Sequence, residues 1–315
     1  MPVAFHADHL SFSSAGRASP KGRRDALYRE GPAAMLQRWA LGTAWAMKPN
    51  RISGLPNLAR LWLGEMMAPD YALPDPDTAL ANPPGLAGIV HDFSMPTVLE
   101  AHRRGIFPFA HFGPLKWWSP PQRSLLFFDE IHIAKRLRRQ MRQGKHSVTF
   151  DKDFEGVIKA CSESRSGRWN LTWITPRVMR LYTEMFDAGH AHSFEVWNET
   201  GALVGGGYGV SVGGSFTTES QFTREANTSK IGFTVLHWHL NKWGYAFDDG
   251  KLMTPTCKDM GFREVPRADY LRRLEAAVRL PGKSGRWTVE DDLAVISEWK
   301  PANGGETVHR DSDDK

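Results

Sequence analysis

From about residue 147 onward, strand-like and helix-like segments alternate along the chain. HSVTFDKD and HSFEVWN alternate apolar and polar residues, as half-buried strands do. PRVMRLYTEMFDAGH, between them, predicts an amphipathic helix with Pro176 near its start and Gly189 at its end. ALVGGGYGVSVGGSFTTESQF predicts a hairpin that turns near residues 212–214.

The remaining segments of this half continue the same order. SKIGFTVLHWHLNKWG predicts a helix, YAFDD a short strand and CKDMGF one helical turn, and REVPRADYLRRLEAAVRL is predicted to end in a last helix. Strand, helix, two strands, helix and strand predict an α/β fold around a mixed sheet.

The preceding segments are less regular. Ser94 can cap a helix in SMPTVLEAHRRGIF that Gly105 ends. FPFAHFGPLKWWSPPQRSLLFF has many aromatic residues and prolines but no simple period, so we expect an irregular wall around a site. IHIAKRLRRQMRQGKH predicts a basic helix, since Ile133, Leu137 and Met141 form one sparse apolar stripe.

The first part of the chain has the pattern of an appendage. Residues 11–31 have no apolar period and are predicted to be loose, whereas AAMLQRWALGTAWAM and LPNLARLWLGEMM predict two short amphipathic helices. Five prolines within residues 69–85 predict a linker. The expected organisation is a basic extension (1–83), a small N-terminal domain (84–146), a catalytic domain (147–280) and a polar C-terminal tail (281–315), predicted to be disordered from about residue 300.

Composition narrows the class of protein. The chain has 315 residues, 41% of them hydrophobic, and a formal net charge of +5, which argues against a collagen, a coiled coil or a wholly disordered chain. The sequence holds no apolar run long enough to span a membrane and no secretory signal. Its two cysteines, Cys161 and Cys257, fit a reduced cytoplasm. We therefore expect a cytoplasmic protein without membrane contact, and a monomer.

Positive charge is concentrated in two stretches. Residues 1–60 hold nine Lys and Arg against three Asp and Glu, and residues 131–150 hold six basic residues and no acid. A basic helix of this kind can follow a phosphate backbone, although a solvated helix face is an equal alternative. Twelve tryptophans suit base stacking but also suit a core.

Carboxylates near strand ends are the candidates for chemistry. Glu219 follows a strand-like segment, and Asp248 and Asp249 end another, where ligands of α/β sheets gather. A carboxylate there could hold or orient an amine. Two plainer alternatives remain open: Asp249 caps a turn, or Glu219 pairs with Arg224. Neither a third metal ligand beside His190 and His192 nor a His beside a cysteine is apparent, so we expect no metal and no cysteine nucleophile.

Eight short motifs, in order, resemble one family. They are RRGIFPF, WWSPPQR, WIT, GHAHSFEVW, LVGGGYG, ESQF, SK and VPRADYL, and the match that contains them runs from about Pro84 to Leu274. Together they resemble the leucyl/phenylalanyl-tRNA–protein transferases. The resemblance implies a small N-terminal domain joined to a domain of the N-acetyltransferase type. It also implies transfer of Leu, Phe and less readily Met from aminoacyl-tRNA to proteins that begin with Arg or Lys, which marks them for degradation in the N-end pathway. No metal, cofactor or covalent acyl-enzyme is implied.

Site residues follow by motif. Asp249 matches the essential aspartate that contacts the acceptor amine, and Glu219 would face the acceptor's basic side chain. The resemblance places the aminoacyl group and its adenosine against seven positions: Phe109, Trp173, Tyr182, Gly207, Gln221, Phe233 and Asp248. The basic helix would lie against the tRNA acceptor stem through Lys135, Arg136, Arg138, Arg139 and Arg142.

The chain also departs from the family pattern. Lys251 stands where the family has a catalytic Gln, and Gly207, Gln221 and Asp248 replace apolar pocket residues. Because buried Gln and Asp side chains disfavour an apolar ligand when unpaired, we expect Leu and Phe to be poorer donors here, unless those side chains turn away. The change at Lys251 favours an alternative, a non-enzymatic relative that binds tRNA or protein. A coenzyme A-dependent acyltransferase is a third interpretation, weakened by the lack of a glycine-rich pyrophosphate loop.

Overall fold

The structure, a computed structural model, describes residues 20–67, 71–110, 113–163 and 171–302. The predicted α/β class with a mixed sheet is confirmed, and the structure also contains a separate small sheet. The predicted loose ends of the chain, residues 1–19 and 303–315, lie outside the described residues.

The large sheet has seven strands. In chain order they are β4 (Gln122–Leu126), β5 (His146–Phe150), β6 (Ala191–Asn198), β7 (Leu203–Val212), β8 (Ser215–Thr223), β9 (Phe247–Lys251) and β10 (Arg263–Pro266). Their spatial order is β10-β4-β9-β8-β7-β6-β5. Only β8 and β9 pair in parallel; the other neighbours are antiparallel. The predicted hairpin is confirmed as β7 and β8, whose turn lies at residues 213–214.

The small sheet explains the aromatic segment. β1 (Leu86–Ile89), β2 (Phe107–Phe109) and β3 (Lys116–Trp118) form it in the order β1-β3-β2. The segment predicted to be an irregular wall therefore consists of β2, β3 and β4, three short strands. Strands of three to five residues with prolines between them are too short to show a period in sequence.

Helices cover both faces of the large sheet. One face carries α5 (Met95–Arg103), α7 (Phe154–Ser162), α8 (Pro176–Asp187) and α11 (Arg267–Ala277). The other carries α6 (Lys135–Arg142), α9 (Thr228–Lys242) and α12 (Leu293–Ser297), whose apolar residues share a second core. A short helix, α10 (Pro255–Asp259), joins β9 to β10. We call these the α5 face and the α9 face.

The N-terminal part is more ordered than its composition suggests. It forms α1 (Pro20–Leu27), α2 (Pro32–Ala46), α3 (Pro49–Ile52) and α4 (Leu55–Met67), so two helices are as predicted and α1 replaces part of a segment predicted to be loose. Tyr28 follows α1 and is only 1% exposed, and its hydroxyl lies 2.7 Å from the Thr183 hydroxyl. Arg24 binds Glu155 and Asp187. Long-range contacts to α7 and α8 fix this helix, and no local pattern reveals them.

The C-terminal segment belongs to the core as far as residue 299. Trp287 is 1% exposed and stacks on the His192 ring at 3.7 Å. Asp151 joins the two residues, since its carboxylate accepts from the Trp287 amide and lies 2.8 Å from His192 Nδ1. Ile296 and Trp299 are also buried there. The predicted boundary at residue 280 thus falls within one packed unit. Over the described residues, helices long and apolar enough to cross a membrane are not found.

Candidate active site

The site lies where the two parallel strands separate. β8 and β9 pair only as far as Thr217 and Asp249, after which β8 continues to Thr223 beside β7 alone. The pairing of β7 with β8 shifts register at Glu219, which lies in a bulge between Thr218 and Ser220. A bulge re-aims a side chain, and here it turns Glu219 toward the α5 face. The pairing of β9 with β8 ends at Asp249, whose side chain lies on that same face.

Asp249 is fully buried and held by three groups. Arg123 of β4 donates from Nε and Nη2 to its carboxylate, at 2.8 and 2.6 Å. The Tyr270 hydroxyl donates at 3.0 Å and the Lys251 amide at 2.8 Å. Burial raises the pKa of the Asp249 carboxyl, but the charge and hydrogen bonds of Arg123 outweigh burial and hold that pKa below its ordinary value. The carboxylate is therefore ionised and fixed in orientation.

Arg123 is a member of the site that motif reasoning did not assign. Its side chain is 2% exposed, lies between the rings of Phe107 and Tyr270 at 4.8 and 4.5 Å, and also donates to the Gly105 carbonyl. The available signal was an arginine inside a short apolar strand, QRSLLFF, because a buried arginine requires a carboxylate partner.

Glu219 is paired with Lys251 and not with Arg224, which binds Glu163. Lys251 Nζ lies 2.6 Å from Glu219 Oε2, and the Glu219 side chain is fully buried. His102 of α5 approaches the other carboxylate oxygen at 3.5 Å. Burial lowers the pKa of His102 to about 4, although Glu219 partly opposes the shift. His102 is therefore neutral near pH 7.

Aromatic rings border this ion pair. Lys251 Nζ lies 5.4 Å from the Phe107 ring centre and 5.5 Å from that of Trp173. Trp173 in turn contacts Phe109 and Tyr182, with ring centres at 5.8 and 6.2 Å. The structure thus brings Phe109, Trp173 and Tyr182 together with the charged residues on the α5 face.

The other predicted pocket residues lie on the α9 face. Asp248 points away from Asp249, as neighbouring strand residues must, and its carboxylate binds His237 Nε2 at 2.8 Å and the Thr218 hydroxyl. It is therefore satisfied by hydrogen bonds and does not pair with Lys251. Phe233 of α9 packs beside that histidine, with ring centres 5.2 Å apart.

Gly207 and Gln221 are cross-strand neighbours on this α9 face. A Cβ on Gly207 would lie 2.7 Å from the Phe194 ring and 2.9 Å from the Ser220 carbonyl oxygen. The backbone of β7 thus approaches Phe194 so closely that any side chain at Gly207 requires movement. The seven predicted pocket positions therefore divide between two faces of the sheet.

A cleft leads away from Trp173. It has a volume of about 450 Å³ and is bordered by both the extension and α8. Its walls include Arg38 and Trp39 of α2, Arg177 and Arg180 of α8, and Trp173. Glu30 also lines the cleft and pairs with Arg38 at 2.9 Å. The excess of basic side chains beside two indoles is typical of a single-stranded nucleic-acid groove.

The basic helix α6 lies on the α9 face, on the opposite side of the sheet from Asp249. Arg138 is half-buried and donates to the Ser297 carbonyl at 2.6 Å, and Arg142 binds Glu298. Lys135, Arg136 and Arg139 are exposed, and within the described ranges none of them forms an ion pair. The described part of the chain holds no group of three side chains suited to a metal ion.

Comparisons with known proteins identify the class. The profile described as leucyl/phenylalanyl-tRNA protein transferase matches residues 125–275, and the profile of that family's N-terminal domain matches residues 91–121. The fold and the matched regions define an aminoacyltransferase. The chain belongs to the leucyl/phenylalanyl-tRNA–protein transferase family, which confirms the resemblance found in the sequence.

Three relatives agree with this assignment, and each carries the name leucyl/phenylalanyl-tRNA–protein transferase. The relative from Thiobacillus denitrificans is 41% identical over 218 residues, which are 69% of this chain and 95% of the relative. One from Pseudomonas syringae pv. syringae is 44% identical over 64% of this chain and 88% of its own length. One from Alkalilimnicola ehrlichii is 38% identical over 75% of this chain and 91% of its own length. Most of the unmatched part of this chain therefore has no counterpart in these relatives.

Among solved structures, L-PGS from Bacillus licheniformis overlaps with a TM-score of 0.30 and 10% identity over 49% of this chain and 50% of its own. A score at that level supports no argument about function.

Proposed function

We propose that this protein transfers Leu or Phe, and less readily Met, from aminoacyl-tRNA to the α-amine of proteins that begin with Arg or Lys. The product would enter the N-end degradation pathway, and the enzyme would act in the cytoplasm as a monomer. Family membership supports the reaction type. The arrangement of Asp249, Arg123, Glu219 and Lys251 where β8 and β9 separate supports the location of the site.

The reaction needs little covalent chemistry from the protein. The ester that joins the amino acid to tRNA is already activated. The acceptor amine attacks its carbonyl carbon, a C–N bond forms, and the C–O bond to the ribose breaks. The amine loses a proton and the departing ribose oxygen gains one. Because an α-amine has a pKa of about 8, a useful neutral fraction is present at pH 7 and a strong base is unnecessary.

Positioning is therefore the main task of the site. Asp249 is enclosed by Arg123, Tyr270 and the Lys251 amide, so its contribution comes through the groups it orients. Lys251 has a left-handed backbone, with φ of 64°, and its amide donates to Asp249. Asp249 thereby fixes the direction in which Lys251 leaves the strand.

The cleft beside Trp173 offers a path for the single-stranded end of tRNA. Arg177 and Arg180 supply charge for phosphates, while Trp39 and Trp173 supply flat surfaces for bases. Trp173 also borders the Lys251 ammonium, so an end bound in this cleft would deliver its ester close to Glu219. The exposed cations of α6 would then contact tRNA from the other side of the sheet.

A transfer assay tests the proposal. Purified protein is incubated with tRNA charged separately with Leu, Phe, Met and other amino acids, together with peptides that begin with Arg, Lys or Ala. Mass spectrometry measures the aminoacyl adduct, and an N-acetylated Arg peptide is the control for attack by the α-amine. We expect Leu and Phe on Arg and Lys peptides. Binding of tRNA without any transfer would instead support the non-enzymatic alternative, and transfer of more polar amino acids would support an altered donor preference.

A further inference from the structure

The ion pair between Lys251 and Glu219 has consequences for the acceptor. Lys251 Nζ lies 2.6 Å from Glu219 Oε2 and 3.4 Å from the Glu219 carbonyl oxygen. The Glu219 side chain is fully buried, whereas 12% of the Lys251 side chain is exposed. The ammonium group therefore covers the carboxylate on the solvent side, between the rings of Phe107 and Trp173.

The charges of the site are already balanced. Arg123 neutralises Asp249, and Lys251 neutralises Glu219. His102 adds no charge near pH 7, since its pKa is about 4. A guanidinium or ammonium group of an acceptor would enter this partly buried place as an unpaired cation. Burial of an unpaired cation is costly, so a basic side chain can bind Glu219 only after Lys251 has moved.

We propose that Lys251 is an internal competitor: its ammonium occupies the subsite in which Glu219 would receive the acceptor's basic first side chain. The inference rests on the proposed function, because it assumes an acceptor that begins with Arg or Lys. It follows that Lys251 sets the acceptor specificity, weakening the preference for a basic first residue that a free Glu219 would give.

The backbone supports this role. A left-handed φ is unfavourable at a residue other than glycine, and the Lys251 amide is held in it by Asp249. The Lys251 side chain is thus directed toward Glu219. Its flexible methylene groups allow the ammonium to move away when the basic side chain of an acceptor binds Glu219. Displacement changes only rotamers and leaves the strand in place.

Citrulline provides the probe. Its side chain has nearly the shape of arginine but no charge, so the ratio of kcat/KM for Arg and citrulline peptides measures how strongly the site recognises charge. We expect a ratio near one in the unmodified protein. In Lys251→Gln and in Lys251→Met the ratio should rise by about tenfold or more, mainly through KM, because Glu219 is free to bind the guanidinium. Lys230→Gln is the matched control, since it removes a lysine paired with Asp259 away from the site.

Direct binding separates this inference from the proposed function. Calorimetry with the same two peptides requires no transfer, and tighter binding of the Arg peptide in the Lys251 variants would support the inference even if no variant transfers an amino acid. An unchanged ratio in both measurements, with folded variants as judged by circular dichroism, would overturn it. Lys251→Arg keeps the charge and should keep the ratio of the unmodified protein; a tenfold rise in that variant would also contradict competition by charge.

Discussion

We expect Asp249 to contribute both to the stability of the fold and to the transfer reaction. The family resemblance assigns it to transfer, and the structure shows that it is also fully buried and paired with Arg123. Removing one partner of a buried pair leaves an uncompensated charge. A single substitution at Asp249 should therefore affect both properties.

Asp249→Asn keeps the shape and removes the charge. We expect transfer to fall by roughly 10²-fold or more, and the free energy of unfolding to fall by about 3 kcal/mol, because Arg123 stays buried without a carboxylate. Urea unfolding and the transfer assay measure the two effects. Asp259→Asn, in an exposed pair with Lys230, is the matched control and should change stability by less than about 1 kcal/mol. Full activity together with full stability in Asp249→Asn would contradict the role derived from this geometry.

His102 links the site to pH. Its pKa in the folded protein is about 4, below the ordinary value of 6.5. As pH falls below about 6.5, His102 binds a proton in the unfolded chain but stays neutral in the folded protein. The folded state therefore loses stability between about pH 6.5 and about pH 4, and this residue causes no loss above pH 6.5.

We expect this residue alone to lower the free energy of unfolding by roughly 2 kcal/mol between pH 7.5 and pH 5. His102→Gln should reduce the loss over that interval by the same amount, as measured by urea unfolding at both pH values. Glu219, Lys251, Asp249 and Arg123 surround His102 and are unchanged in this comparison. An identical pH dependence in the variant would show that His102 is protonated in the folded protein near pH 5.

At the scale of single residues, only part of the site could be predicted from the sequence. Motifs located Glu219 and Asp249, but the partner of Asp249 lies 126 positions earlier in the chain, and only the fold reveals it. The opposite directions of Asp248 and Asp249 could have been predicted, because neighbours on a strand face opposite sides. The structure also shows why the apolar residues that the family has at Gly207 and Asp248 do not fit in this chain. Methionine at Gly207 has no space beside Phe194, and isoleucine at Asp248 would strip Thr218 and His237 of their partner.

Among the secondary-structure elements, long periodic segments were predictable. Of the short ones, β9 and α10 were predicted, whereas β2, β3 and β4 were not. α8, α9 and the β7–β8 hairpin follow their patterns. β4 was missed because four of its five residues are buried, so it lacks the alternation of a half-buried strand. The helix α6 was predicted correctly, but its position on the α9 face depends on the strand order and could not be derived from its own residues.

The position of α6 changes what its arginines are expected to do. Arg136 and Arg139 are exposed, whereas Arg138 is bound to the Ser297 carbonyl. Arg136→Ala with Arg139→Ala should weaken tRNA binding and flatten its dependence on salt, because each phosphate contact releases counterions. Arg138→Ala should mainly reduce stability. Fluorescence anisotropy with labelled tRNA at several salt concentrations measures the slope.

The matched control for this pair removes two other exposed arginines, Arg272 of α11 and Arg279 just beyond its end, by Arg272→Ala with Arg279→Ala. If both double variants reduce the slope equally, net charge explains the effect and α6 is not a specific contact. If the α6 variant keeps the slope of the unmodified protein, α6 lies outside the tRNA interface.

At the scale of the whole molecule, the helices of the extension within residues 20–67 are joined to the α/β fold and are not a loose appendage. Composition predicted a separate unit for residues 1–83. In the structure, Tyr28 lies within the same apolar core as α7 and α8, and Arg24 bridges both helices. The match with the family's N-terminal domain begins only at residue 91, after this segment.

Removing residues 1–83 should therefore destabilise the protein, whereas removing residues 1–19 retains Tyr28 and its contacts. Tyr28→Ala removes the buried ring alone and should lower the free energy of unfolding by about 3 kcal/mol, the usual loss when a large buried aromatic residue is replaced by alanine. Tyr28→Phe loses only the hydrogen bond to Thr183 and should cost about 1 kcal/mol, since Thr183 also donates to the Met179 carbonyl. Urea unfolding of the two truncated proteins and the two Tyr28 variants measures the free energy of unfolding of each. A shortened chain from residue 84 with the stability of the full chain would show that α1 packs on α8 without contributing to the fold.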